Sequence, residues 1–486
     1  MDFKTFIKDY NFKVISAIIA LSFVLLMIFN LSPFTVSGQA IILFNLLIAG
    51  FIFGGILYKE KLGKDTFYLA VFVTFILTSI IIFRSPLFFA NEYAHLIKIK
   101  NTKISDFIVD NPSQIRSVTR KMALVKANKI LGIKVNGVEV STQFQLDEGN
   151  VIKYKNNEYW LFSLEPSSFF SWLSNKKIPG YVLVSATDPN AKALFVQKSY
   201  TIGKSYLWNN IDRIGYFETF FAPTFIHFEI DENGNPYWIV VKEHYKFYGV
   251  LLYPESVRVV NAITGKTEYN GELKDAPKWI DKLFPEDITK DIIEYYGKYQ
   301  KGFWNAITVM KNVMVPTNYH NKELWLIENK TNNHLMWFTG LTSPNKKDNS
   351  LINSIAVDTR NCVGYKINDM LGITDEEGAI EAIDSKLGAN SIKWAAVLPM
   401  PVFMNNDFYW VASIVNKKSS IYQKEGLVKG NDITQVKFAD SLQDAINNNS
   451  TIKSVSKKIN KKVIFKKIDK IEHELQDLKK LVNKIN

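Results

Sequence analysis

Six histidines, a single cysteine and two glycine–lysine–hydroxyl triplets are the residues of this 486-residue chain whose types could carry chemistry. Gly203-Lys204-Ser205 and Gly265-Lys266-Thr267 look like the end of a phosphate-binding loop, in which backbone N–H groups of a glycine-rich turn wrap the phosphates. The upstream glycine that the wrap needs is Lys198 in the first and Val260 in the second, so neither predicts a nucleotide site. Asp231-Glu232-Asn233-Gly234-Asn235 has the oxygen-rich start of a calcium loop. Pro236 stands where the turn glycine belongs and Lys242 where the closing glutamate would coordinate, so a plain β-turn is expected. His95, His227, His244, His320, His334 and His473 include no pair at H-E-x-x-H spacing, and only His227 and His244 could meet, across a hairpin. Cys362 has no partner for a disulfide and no neighbouring base to activate it, which predicts a small buried residue. No G-x-S-x-G elbow is present. The expectation is therefore a non-enzymatic protein with no catalytic residue, metal site or cofactor.

The elements that hold these residues begin with three apolar runs, Val14–Leu31, Ile41–Leu57 and Phe67–Phe83, none containing a charged side chain. Each is long enough to span a hydrocarbon core of roughly 30 Å. They predict a three-span transmembrane anchor over residues 1–90. Lys4, Lys8 and Lys13 before the first run and Lys59, Lys61 and Lys64 after the second place those segments in the cytoplasm. The uncharged link Ser32–Gln39 is then outside, and so is everything after the third span. Arg84, Lys98, Lys100 and Lys103 oppose this orientation, but long domains translocate largely regardless of charge. Within the spans Asn45 is the conspicuous polar residue, which argues against a transport path. Gly50 and Gly54 form a G-x-x-x-G spacing suited to close helix packing.

After a polar connector, residues 91–112, the chain changes character. Ser113–Leu131 is expected to be an amphipathic helix, with Ile115, Val118, Met122 and Val125 on one face and Arg116, Arg120, Lys121 and Lys126 on the other. A pattern then recurs: strand, polar turn, aromatic-rich strand, loop and a final apolar strand. Its aromatic strands are Glu158-Tyr159-Trp160-Leu161, Pro236-Tyr237-Trp238, His334–Phe338 and Phe408-Tyr409-Trp410. Asp287–Gly297 and Glu376–Leu387 are expected to be helices, and Asn261-Ala262-Ile263-Thr264-Gly265 and Asp358-Thr359-Arg360 turns. With Pro179-Gly180-Tyr181, Pro277-x-Trp279-x-Asp281 and Gly302-Phe303-Trp304, these segments make the repeated unit resemble the PepSY-like modules of membrane-anchored bacterial proteins. That resemblance implies helix combined with antiparallel sheet, a D-x-x-T-G-like closing turn and an extracytoplasmic setting. Some such proteins restrain peptidases. The halves are placed at 113–300 and 301–440.

A polar linker, 441–457, precedes the tail, 458–486. Ile464, Ile468, Ile471, Leu475, Leu478, Val482 and Ile485 alternate spacings of four and three, a heptad seam that predicts a coiled coil. Net charge is +12, but eleven lysines against four acids crowd residues 453–486, so the rest is only mildly basic and no nucleic-acid partner is expected. The fold class expected is thus α+β: a three-helix membrane anchor, a repeated PepSY-like ectodomain and a C-terminal coiled coil. The function expected is binding or scaffolding at the cell envelope, in a multi-pass membrane location, with the coil gathering copies or a coiled-coil partner. The alternative is a regulator or inhibitor of an envelope peptidase.

Overall fold

The computed structural model describes residues 86–444, apart from 109–110, 112–113, 136, 220–221, 247–250, 319–323, 346–349 and 405. Among the described residues, four sheets of four or more strands, antiparallel but for one edge, follow one another along the chain, beside two two-stranded pairs. The first is Asn150–Tyr154, Asn157–Phe162, Tyr181–Ser185 and Leu194–Val196. The second is Thr224–Ile230, Pro236–Lys246, Leu251–Asn261 and Thr267–Glu272, and the fourth is Trp394–Met404, Asp407–Asn416, Tyr422–Lys429 and Asp432–Ala439. The third builds on Leu335–Thr342, Asn353–Asp358 and Val363–Ile367, with Val315–Pro316 and Trp325–Glu328 sharing one edge. Its other edge is closed in parallel by Lys98–Thr102, from the start of the described chain.

Each sheet is preceded by a helix: Arg120–Ile130, Ile211–Glu218, Glu286–Tyr299 and Glu376–Leu387. Three of them are capped by a side chain that accepts from a free N–H of the first turn, a local reason for starting there. Thr119 Oγ1 accepts from Met122 N at 3.2 Å, Asn210 Oδ1 from Arg213 N at 2.7 Å, and Asp375 Oδ1 from Gly378 N at 2.9 Å.

The aromatic strands repeat in geometry as well as sequence. The second strand of the first, second and fourth sheets and the Leu335–Thr342 strand of the third each place one tryptophan whose indole N–H donates to a backbone carbonyl well upstream. Trp160 reaches Val118 O, Trp238 reaches Ile202 O, Trp337 reaches Phe284 O and Trp410 reaches Thr374 O, at 2.8, 2.8, 2.9 and 2.8 Å. Each bond pins the segment entering a unit to the sheet of that unit.

Successive residues of a strand point to opposite faces, and here both faces are covered. In the second sheet Trp238 and Val240 join the core shared with the first sheet, while Tyr237, Ile239 and Val241 join the core shared with the third. In the third sheet Leu335 and Trp337 face the second, and Met336 and Phe338 face the fourth. Val415 of the fourth sheet returns to the core of the first. The four sheets therefore pack in a closed circuit.

The loops rest on one device, a short Asn or Asp side chain folding back on its own backbone. Asn261 Oδ1 accepts from Ile263 N and Thr264 N at 2.9 and 3.0 Å, with Gly265 at φ +72°. Asp358 Oδ1 accepts from Arg360 N and Asn361 N at 2.8 and 3.3 Å, and Cys362 takes the glycine's place at φ +55°. Asp231 Oδ1 accepts from Asn233 N and Asn235 N at 2.9 and 2.7 Å, so the calcium-like segment is a hairpin turn.

The expected architecture is corrected in several respects. The α+β class with a three-helix anchor and coiled coil gives way to a mostly β fold, with 22 strands among the described residues. The longest described helix has 14 residues, against the ~20 needed to span a bilayer. No described helix is long and apolar enough to cross a membrane, so a transmembrane, multi-pass location finds no support. The three apolar runs, Gly50 and Gly54, and the seam Ile464, Ile468, Ile471, Leu475, Leu478, Val482 and Ile485 lie outside the described residues. The helix expected over Ser113–Leu131 begins only at Arg120. Upstream of it, Ser117 N and Val118 N both donate to Ala186 O at 3.0 Å, an alternative to helical hydrogen bonding that keeps this stretch extended.

Candidate binding site

That extended stretch lies where the circuit closes. Ser117 Oγ donates to Thr187 O at the end of the first sheet, and Ser117 O accepts from Ser413 Oγ of the fourth at 2.6 Å. Next to it, Arg116 Nη2 donates to Leu326 O of the third sheet. Three sheets thus fix one arginine in the interior with only 5% of its surface exposed.

Arg116 is incompletely paired there. Its Nε lies 4.0 Å from Glu158 Oε2, beyond hydrogen-bond reach, and has no hydrogen-bond partner. Burial lowers the Arg116 pKa, and it pushes the Glu158 carboxyl up to about 7 against the pull of Arg116. Burial thus disfavours the charged form of both partners, and Glu158 and Glu286 are the carboxylates that act against it on the guanidinium. An incompletely compensated charge in a protein interior is costly, and such arrangements concentrate at functional sites.

Further charged groups continue from this pair. Glu229, on the first strand of the second sheet, is 1% exposed. It accepts from His227 Nε2 and from Asp281 N, both at 2.9 Å. Burial raises the carboxyls of Glu229 and Asp281, and lowers the buried Lys282 ammonium, which those two carboxylates pull back up. Lys153 donates its backbone N–H to Asp281 and pairs through Nζ with Glu328 of the third sheet. Lys282 and Asp281 line different cavities.

The first cavity, about 500 Å³, lies beside Arg116, Lys282, Asn150 and three tryptophans, Trp160, Trp325 and Trp337. Asn150 Nδ2 is likewise buried with no hydrogen-bond partner, and both residues, Arg116 and Asn150, belong to the lining of this space. Arg120 and Lys121, both exposed, bring four cationic groups to the lining against two carboxylates, Glu148 and Glu286. This composition suits an anion.

The second cavity, about 520 Å³, is lined by Lys153, Trp279, Asp281, His334 and Arg360 among others. Its polar groups are largely satisfied. His334 Nδ1 bonds Asp358 Oδ2 at 2.9 Å, and Lys153 Nζ also donates to Asn333 O at 2.9 Å. Arg360 spends its guanidinium on the carbonyls of Ala276, Pro277, Lys278 and Ile280, holding the Pro277-x-Trp279-x-Asp281 loop in place.

The tempting fragments of the sequence do not assemble. His227 stands opposite Ile239, and His244 opposite Tyr253 on the next strand, so the two do not pair across the hairpin. Cys362 is buried, and burial drives its thiol up to about 12, which removes it as a nucleophile. Ser205 Oγ is used by Asn209 O. The residues that do gather, Arg116, Asn150, Glu158 and Lys282, had not stood out. The available signal was a charge set among large apolar residues, as in Trp279-Ile280-Asp281-Lys282-Leu283-Phe284.

No protein family and no curated protein matches this chain. Among solved structures, a mutant of the apocarotenoid oxygenase of Synechocystis aligns at 10% identity with a TM-score of 0.18, covering 62% of this chain and 63% of that one. The cobalt-substituted form of the same enzyme aligns at 9% identity with a TM-score of 0.14, over 60% and 53%. The chain thus spans less than two thirds of the length of the structures it matches, and a likeness this slight carries no argument about fold or activity.

Proposed function

We propose that this chain is a non-catalytic binding protein whose interior cavity holds an anionic ligand at Arg116. The observation that carries the reading is an arginine buried to 5% exposure in the lining of a cavity that also holds Lys282, Arg120 and Lys121 against two carboxylates. Burying cationic groups without full compensation costs free energy, and an acidic ligand in the cavity would supply opposing charge. Arg120 and Lys121 would draw the ligand to the mouth through longer-range attraction. The resemblance of the repeats to PepSY-like modules is retained within this proposal, supported by the matching turns at Asn261–Gly265 and Asp358–Cys362.

The test is calorimetric titration of the full chain with inorganic phosphate at low ionic strength, beside the Arg116→Gln variant. A hydrogen bond to a charged group contributes about 1.5–3 kcal/mol, so the variant should bind about 10- to 150-fold more weakly. Lys134→Gln, at an exposed site outside the lining, serves as control and should bind as the parent does. Equal affinity in parent and Arg116→Gln would remove the basis of the reading.

A further inference from the structure

We infer that the ligand of the first cavity is a planar aromatic acid, with its acidic group at Arg116 and its ring against Trp160. This rests on the anion-binding reading and names the class of ligand. A cavity of about 500 Å³ has the size of sites that enclose a whole small molecule, well beyond the needs of a bare oxyanion.

The walls say what the rest of that molecule is. The indole N–H groups of Trp160 and Trp337 are already given to Val118 O and Phe284 O, so these side chains offer the cavity ring surface and no donor. Val151, Leu326, Val397 and Leu398 complete the apolar lining. A sugar would leave hydroxyls facing these walls without partners, whereas a flat apolar ring would not. Trp160 is also braced for stacking: Phe162 packs parallel to it, centroids 6.4 Å apart and planes 21° from each other, and the Val118 bond fixes its rotation. An excess of cationic residues and aromatic surface whose indole N–H groups are already used line one cavity, and together they call for an amphiphilic anion.

Three probes separate head from body: inorganic phosphate, 1-naphthol and 1-naphthyl phosphate, each titrated calorimetrically into the full chain. Offset aromatic stacking and apolar burial together should make 1-naphthyl phosphate at least about tenfold tighter than phosphate. Trp160→Leu should erase that advantage while leaving phosphate affinity in place, and Arg116→Gln should weaken both acidic probes. Leu398→Gly is a second wall variant, made where the backbone already sits at φ +58° and glycine is unstrained. It should lower the affinity of 1-naphthyl phosphate alone, should Trp160→Leu not fold. Phosphate binding with 1-naphthyl phosphate no tighter would overturn the inference and leave the anion reading standing. Binding of neither acidic probe would overturn both.

Discussion

Replacing Glu425 by glutamine should remove a definite part of the pH dependence of stability. Glu425 is 1% exposed on the third strand of the fourth sheet, and both its carboxyl oxygens lie 3.2 Å from Ser413 Oγ. That hydroxyl has one hydrogen, and the 2.6 Å contact to Ser117 O takes it. Ser413 Oγ is then left to accept from Glu425, a bond that the protonated carboxyl can donate, while the Tyr422 hydroxyl pulls the carboxyl's pKa the other way. Burial is the larger effect and drives its pKa from 4.5 up to about 8. The native state therefore binds a proton that the unfolded chain has released. The resulting stabilisation is complete below pH 4.5 and is lost as pH rises through about 8. At about 1.4 kcal/mol per pH unit the full effect is on the order of 5 kcal/mol, of which about 3 kcal/mol falls between pH 5.5 and 8.5. A glutamine amide can donate to Ser413 Oγ at every pH. Urea unfolding at pH 5.5 and 8.5 should show the gap between parent and Glu425→Gln moving by about 3 kcal/mol in the variant's favour at the higher pH. Glu158, Glu243 and Glu376, each raised to about 7 by burial, slope the same way in both proteins and cancel in the difference. Parallel pH profiles would refute the protonated-carboxyl argument.

Other outcomes follow from the same packing. Trp238→Phe should cost about 2–4 kcal/mol, because it opens a void in a fully buried site and strands Ile202 O; Trp160→Phe, half-buried, should cost less, and denaturation midpoints rank the two. Asp358→Ala should destabilise by about 1–3 kcal/mol, since Arg360 N and Asn361 N lose their acceptor and the His334 ring its partner, while an Asp358→Asn change should recover part of the loss. Cys362, buried with its thiol driven up to about 12, should resist a thiol-specific disulfide reagent at pH 8 in the native protein and react at once in denaturant; rapid native labelling would contradict its placement.

The parts of the fold legible in the sequence are those whose signals are local. Asp287–Gly297 and Glu376–Leu387 carry helical periodicity, and helices form at Glu286–Tyr299 and Glu376–Leu387. The aromatic strands announce themselves through turn residues that fold back on their own backbone. The site was hidden for a physical reason. In Phe228-Glu229-Ile230 the alternation of apolar and charged residues reads as a strand with one face in water. Both faces of that strand are packed, and the apparent solvent position of Glu229 is an interior one. Arg116 misled in a related way. Its spacing fits the polar face of a helix from Ser113 to Leu131, but Ala186 O captures Ser117 N and Val118 N from 69 and 68 residues downstream in sequence, and no local pattern shows that contact. The tryptophan bonds, from Trp160 to Val118 O through Trp410 to Thr374 O, span 36 to 53 residues and are equally invisible to periodicity.

Anomalous diffraction from crystals of the full chain soaked in selenate would test the central claim most directly. The account predicts a selenium peak inside the first cavity, beside Arg116 and Lys282, and its loss in Arg116→Gln crystals. Selenate found only on exposed lysines, with that cavity empty, would contradict it.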